Sequence, residues 1–324
     1  MAKIYINMRK IVNTKYRLFA YGCSFSSWTH PTPLDWLSSC FDSYRNFGEP
    51  GGCTTLISDK VNKDFQYKEE SDLMFIQWTG LLRYTPKSQT DITEYATEYI
   101  YPWESGDIEH PYNMVLQYYN NTRNLFSSLK LNRNNYITTH MLSPWLSDTL
   151  GEPNGYFYDI KEDSNRLTLK RKYDKHFNVI VDTGLLKDIE TLFKLNNNTV
   201  ESMLDFYLRN NIAMNKPLLQ YLPDSDSYRF DHHPAPIDTL LYAREVLAPK
   251  VKSKLGIDLS YLFSNELDLY AETWMYFLKK EKKLIKDRAL WTNTGKSITH
   301  TNFKPYIPWF IKNGKITEYK LSSI

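Results

Sequence analysis

Residues 16–26 read Tyr16-Arg17-Leu18-Phe19-Ala20-Tyr21-Gly22-Cys23-Ser24-Phe25-Ser26, and the reading of this stretch decides how the rest is organised. Residues 16–22 form a short apolar run ending on glycine, the pattern of a buried strand entering a tight turn. Beyond the turn, Leu34-Asp35-Trp36-Leu37 and Cys40-Phe41 recur at helical spacing, so a helix is expected to follow. A strand that hands over to a helix puts Ser24 at the strand's carboxyl end, where functional groups collect in a parallel sheet. A serine hydroxyl can be presented to a ligand there, while free N–H groups of the first helical turn stabilise a developing oxyanion. A helix N-cap serine produces the same Gly-x-Ser spelling, and taken alone that is the commoner explanation.

Further along, Ser43 to Phe47 predicts a second short strand, ending at Gly48-Glu49-Pro50-Gly51-Gly52. A helix from about Thr54 then leads to Leu73-Met74-Phe75-Ile76-Gln77-Trp78, the clearest strand in the sequence. A helix around 111–129 and a strand around Tyr136–Met141 continue the alternation, which implies βαβ units and a parallel sheet covered on both faces. Residues 150–185 break it, with Gly155–Tyr158 and Arg166–Leu169 read as strands of an inserted hairpin region. Helical periodicity resumes over Thr199–Asn211 and Pro236–Leu255, then over Leu267–Leu284, and Asn313-Gly314 signals a hairpin turn. The expected organisation is an α/β domain over 1–256, with an insertion at about 142–198, and a C-terminal appendage over 257–324.

Composition narrows the function classes. The 324 residues carry 40 basic and 37 acidic side chains, a net +3 that argues against nucleic acid as a partner. Lys279-Lys280-Glu281-Lys282-Lys283 is interrupted by acid and reads as a solvated helix face. No run approaches the ~18 apolar residues of a membrane span, and the N-terminus lacks the apolar core of a secretion signal. The expectation is therefore the cytoplasm of the producing cell, with no membrane partner. Cys23, Cys40 and Cys53 are odd in number and without CxxC spacing, which indicates neither a disulfide framework nor a zinc site. The aromatic load of 25 Tyr, 16 Phe and 8 Trp is explained first by compositional bias and core packing; it gives slight support to a carbohydrate- or protein-facing surface.

Two further blocks carry chemistry. Asn46-Phe47-Gly48-Glu49-Pro50-Gly51 follows a predicted strand, and its glycines permit close backbone approach to a ligand; an ordinary tight turn reads the same way. Asp231-His232-His233-Pro234 precedes the helix beginning near Pro236. A serine hydroxyl needs an imidazole to accept its proton and an acid to fix the imidazole's tautomer, and an Asp two residues before a His supplies both from one loop. A surface turn is the plainer alternative. A metal pair ranks last, because adjacent histidines point apart and no carboxylate-rich partner motif is visible. His30, His110, His140, His176 and His300 sit in no comparable setting and are read as structural. Phosphate binding by Gly48–Gly52 is set aside, since the Lys-Ser/Thr of a P-loop is missing.

Together the blocks resemble the SGNH/GDSL family of serine hydrolases. Its Gly-Asp-Ser is matched by Gly22-Cys23-Ser24, in the Gly-Cys-Ser-Phe form that looks like bacteriophage-encoded members. Its Asn-x-Gly-x-x-Gly is matched in full by Asn46, Gly48 and Gly51, and its terminal Asp-x-His-Pro by Asp231, His233 and Pro234. The resemblance covers residues 16–82 and 228–250. It implies a three-layer sandwich around a flavodoxin-like parallel sheet, the SGNH hydrolase fold. It also implies Ser24 as nucleophile, His233 ahead of His232 as base, Asp231 as its orienting acid, and the Gly51 N–H as an oxyanion donor. The family's third block, Gly-x-Asn-Asp, is not matched: Trp78, Gly80 and Leu81 occupy those positions, so the asparagine donor is missing, and Thr79 or Arg83 is the candidate substitute. The implied substrate is a small ester or an acylated glycan, attacked without a metal or organic cofactor. The alternative is a structural or adhesive virion protein that keeps the fold, sits among other virion proteins and catalyses little.

Overall fold

A computed structural model describes residues 13–23, 26, 30–49, 52–79, 110–132, 134–140, 158–163, 166–171, 178–212, 218–222, 226–230 and 233–280. Strands β1 (Asn13–Tyr21), β2 (Phe41–Asn46), β3 (Asp72–Trp78) and β4 (Tyr136–His140) form a parallel sheet in the order β2-β1-β3-β4. The expected α/β class is therefore what forms. β3 and β4 run in register from Met74 beside Tyr136 to Trp78 beside His140, and every residue of both is buried. Burial on two faces explains why β3 reads as a continuous apolar run and not as an alternation.

Crossover helices follow the strands. α2 (Thr54–Asp64) lies between β2 and β3 in the chain, after the short α1 (Pro33–Leu37) between β1 and β2. The Cys53 thiol caps α2 by accepting the Leu56 N–H at 3.5 Å. α3 (His110–Leu131) buries Val115, Tyr118, Leu125, Phe126 and Leu129, one stripe at helical spacing. The next described elements are an antiparallel sheet in the order β5-β6-β7, from β5 (Tyr158–Asp163), β6 (Arg166–Arg171) and β7 (Asn178–Asp182). The strand expected at Arg166–Leu169 falls within β6; the one expected at Gly155–Tyr158 meets β5 only at Tyr158, and β7 was not foreseen.

The chain divides into two compact units. One takes residues 19–26 and the described residues from 46 to 212. Its core joins Phe19, Tyr21, Met74, Ile76 and Trp78 of the sheet to Ile57 and Val61 of α2, the stripe of α3, and Leu185, Leu186, Ile189 and Phe193 of α4 (Thr183–Lys194). Phe126 lies at its centre, 5.1 Å from the Phe193 ring and 6.1 Å from those of Trp78 and Tyr136. The sequence reading left α4 unassigned and expected a helix over 199–211. The helix there is only α5 (Met203–Arg209), because 198–200 pairs in extended form along β4, with the Thr138 N–H on the Asn198 carbonyl and the Val200 N–H on the Thr138 carbonyl.

The other unit takes 13–18, 30–45 and the described residues from 218 to 280. It contains the hairpin of β8 (Leu219–Leu222) and β9 (Ser227–Phe230), which the sequence reading did not foresee. Trp36 of α1 is buried and its indole N–H donates to the Thr239 hydroxyl of α6 (Pro236–Tyr242) at 2.9 Å. The helical run expected over 236–255 is continuous but not uniform. A π-helical turn, Ala243–Leu247, separates α6 from α7 (Ala248–Leu255), since Pro249 has no N–H to offer the α-helical ladder. Gly256, at φ +62°, closes α7 in the left-handed region that suits glycine. Arg244 then holds the segment that follows: its guanidinium donates to the carbonyls of Leu262 (2.7 Å) and Ser264 (3.2 Å) and to Asp268 (2.5 Å) on α8 (Asn265–Lys280). The Asn313-Gly314 turn and residues 142–157 lie outside the described residues.

Candidate functional site

The first two sequence blocks meet at the carboxyl ends of β1 and β2. The Asn46 side chain makes the junction, its amide donating to the Ser26 carbonyl at 2.6 Å and its Oδ1 accepting the Gly48 N–H at 2.9 Å. Backbone bonds continue it, from Phe47 N–H to the Ala20 carbonyl (2.8 Å) and from Glu49 N–H to the Gly22 carbonyl (3.0 Å). The Gly52 N–H returns to the Glu49 carbonyl at 2.9 Å, and the Ser26 N–H and hydroxyl both fold back on the Cys23 carbonyl. Space is so tight that a Cβ on Gly22 would lie 2.4 Å from the Ser26 hydroxyl and 3.1 Å from Cβ of Gln77. Close approach is what favours glycine at 22.

This junction falls at a favourable place in the sheet. β1 has β2 on one side and β3 on the other, so the chain reverses its direction of travel across the sheet at β1/β3. Open parallel sheets bind ligands in the crevice beyond the strand ends at such a switch point. Just past β3, Thr79 is 2% exposed and its hydroxyl makes no hydrogen bond; Gln77, also 2% exposed, has an unbonded side-chain carbonyl. An unsatisfied buried polar group costs about 1–3 kcal/mol, and such groups persist where a ligand or ordered water completes them. No protein-family model matches the chain, and no curated protein does. The site is therefore read from its geometry.

Of the residues anticipated from sequence, Asn46, Gly48, Thr79 and His233 are described. The structure sets the Asn46 amide on the Ser26 carbonyl and the Gly48 N–H on Asn46, and it leaves Thr79 with an uncommitted hydroxyl. His233 is half-buried and precedes the buried Pro234 and Ala235, whose carbonyl accepts the Asp238 and Thr239 N–H groups at 2.9 Å to open α6. Ser24, Gly51, Gly80, Arg83, Asp231 and His232 lie outside the described residues.

Two other histidines, His30 and His140, are buried. The His140 ring lies 3.7 Å from that of Phe193, and its Nδ1 is 2.9 Å from the Tyr118 hydroxyl. Burial lowers its pKa to about 3, so it is neutral at ordinary pH. His30 is also buried, and its charge acts on the carboxyl of Asp35. Among the described residues no three His, Cys, Asp or Glu side chains converge as a metal needs, and Cys23, Cys40 and Cys53 are buried thiols outside any disulfide. Sequence reasoning missed Gln77, although a single amide in the apolar strand Leu73–Trp78 was a visible signal.

Proposed function

We propose that the chain is a serine esterase or deacetylase of the SGNH/GDSL type, acting on a small ester or an acylated carbohydrate. The observation that carries this reading is the Asn46 amide bridging the serine turn to the second glycine block, with Glu49 N–H on the Gly22 carbonyl. Such bracing holds two turns of backbone N–H groups in fixed relation, which oxyanion stabilisation requires. The strand order β2-β1-β3-β4 supports the finer assignment, a flavodoxin-like sheet within a three-layer sandwich.

In this mechanism Ser24 attacks the ester carbonyl while His233 takes its proton and later returns it to the leaving alcohol. Asp231 orients the imidazole. The N–H groups of Ser24 and Gly51 stabilise the tetrahedral oxyanion, and the unspent Thr79 hydroxyl stands in for the family's missing asparagine, with Gly80 and Arg83 beside it in sequence. The chemistry needs no metal or organic cofactor. Among the described residues no helix is long and apolar enough to cross a membrane. The cytoplasm of the producing cell, and incorporation into a virion, remain part of the same proposal.

One sequence observation favours the second reading, a structural or adhesive virion protein: Trp78, Gly80 and Leu81 replace the third block. Hydrolysis of p-nitrophenyl acetate by the wild type and Ser24→Ala separates the two. The esterase reading expects a rate that Ser24→Ala lowers by about 10³-fold or more, with fluorophosphonate labelling lost in parallel. Equal rates for both proteins would overturn it in favour of the structural role.

A further inference from the structure

We propose that Lys60 is a positioning residue for the oxyanion loop, acting through Phe47 and Glu49 without touching substrate. The inference rests on the serine-hydrolase reading above and deepens it. Lys60 lies on α2, thirteen positions beyond Phe47, and its ammonium donates to the Phe47 carbonyl at 2.8 Å. The same ammonium pairs with the Glu49 carboxylate. Asn46 pins the start of the loop to the serine turn; Lys60 pins its middle to a helix that is anchored in the core by Ile57 and Val61.

Glu49 is the residue through which the two restraints converge. Its N–H is bonded to the Gly22 carbonyl, its own carbonyl accepts from Gly52, and its side chain is held by Lys60. Gly51, whose N–H is the proposed oxyanion donor, is the residue before Gly52. Moving Glu49 moves the frame in which that donor must be held. Exposed ion pairs add little to global stability, and this one is largely exposed on the Glu49 side, at 54%. The contribution of Lys60 is therefore local, to the placing of the loop, and small displacements at such sites are costly: about 1 Å can lower a rate by ~10²-fold.

The experiment compares wild type, Lys60→Met, Lys60→Arg and, on the exposed side of the same helix, Lys63→Met. Steady-state ester hydrolysis and peptide-level hydrogen exchange are measured on each. Lys60→Met is expected to lower kcat by about tenfold with KM within about twofold, while Lys60→Arg recovers most of it and Lys63→Met changes neither. Exchange over residues 46–53 is expected to rise by about tenfold in Lys60→Met alone, with the core of α3 unchanged. Unaltered exchange over 46–53 in Lys60→Met, or a general rise that includes α3, overturns the proposal. Absence of Ser24-dependent turnover in the wild type overturns the hydrolase reading instead, and the exchange data still decide whether Lys60 holds the loop.

Discussion

The two compact units each bury an ionisable side chain, and burial moves the two in opposite directions. In the unit that contains α1 and α6, the carboxyl of Asp35 is pushed up to about 7 by desolvation, against the pull of hydrogen bonds from Thr32 and Tyr44 and the charge of His30. In the unit built on β3 and α3, the imidazole of His140 is pushed down to about 3 by desolvation alone. Low polarity penalises charge in both cases; an acid answers by holding its proton and a base by shedding it. The linkage therefore has opposite signs. Asp35 contributes stability that is intact below pH ~4 and lost as pH rises towards 7. His140 contributes stability that is intact above pH 6.5 and lost as pH falls towards 3.

The units also differ in what holds them. Around Phe126 the cohesion is apolar and aromatic, shared over many contacts. Around Trp36 and Arg244 it is directional: an indole N–H on Thr239, the Thr239 hydroxyl on the Pro31 carbonyl, a guanidinium on two carbonyls and a carboxylate. A core of the first kind loses stability in proportion to the volume removed. One of the second kind loses stability when a single donor is lost, most where the acceptor left behind is buried, as Thr239 is, and least where water can reach it, as at Asp268.

The sharpest way to break this contrast is Phe126→Ala, which is expected to cost about 3–5 kcal/mol. Hydrogen exchange should show the loss in α3, α4 and β3; an equal loss in α6 and α8 would mean that the units unfold together. Next comes Asp35→Asn, which removes the titration while keeping an acceptor for Thr32. In the wild type, the protection of α1 amides, taken relative to the intrinsic base-catalysed rate at each pH, should fall between pH 4.5 and 7 by on the order of 1 kcal/mol per pH unit; in the variant that slope should vanish. A slope that survives assigns the pH dependence to another group. The smallest effect expected is that of Arg244→Met, about 1–3 kcal/mol by chemical denaturation, with exchange rising first in the amides of 260–268. No change there would show that packing of α8, and not the guanidinium, holds the segment.

Much of the scaffold could be read in advance because buried parallel strands announce themselves: Leu73–Trp78 is apolar but for Gln77, Tyr136–His140 is rich in β-branched and aromatic residues, and helices follow at the expected spacing. Asn46 and Gly48 were legible because their spacing is a motif. Other features depend on contacts between distant residues. Thr199 and Val200 sit in a helical pattern yet pair with the edge of β4, a choice made by the backbone N–H and carbonyl of Thr138 that periodicity does not encode. The apolar stripe of α4 spans only Leu185 to Phe193 and follows directly on β7, so no loop signal marks where the strand ends. Lys60 belongs to no motif in the sequence. Its meaning lies in a carbonyl thirteen residues away.

The π-helical turn at Ala243–Leu247 has one more consequence. The Ala248 N–H reaches back five residues to the Ala243 carbonyl, which amounts to one surplus residue in the winding. Each residue advances an α-helix by about 100°, so the surplus resets the phase at which Ala248 and Val251 face inward relative to Leu240. Excising a residue there would restore even winding but carry Val251 round by about 100°, so the irregularity is what lets Leu240 and Val251 both stay buried on one continuous helical run.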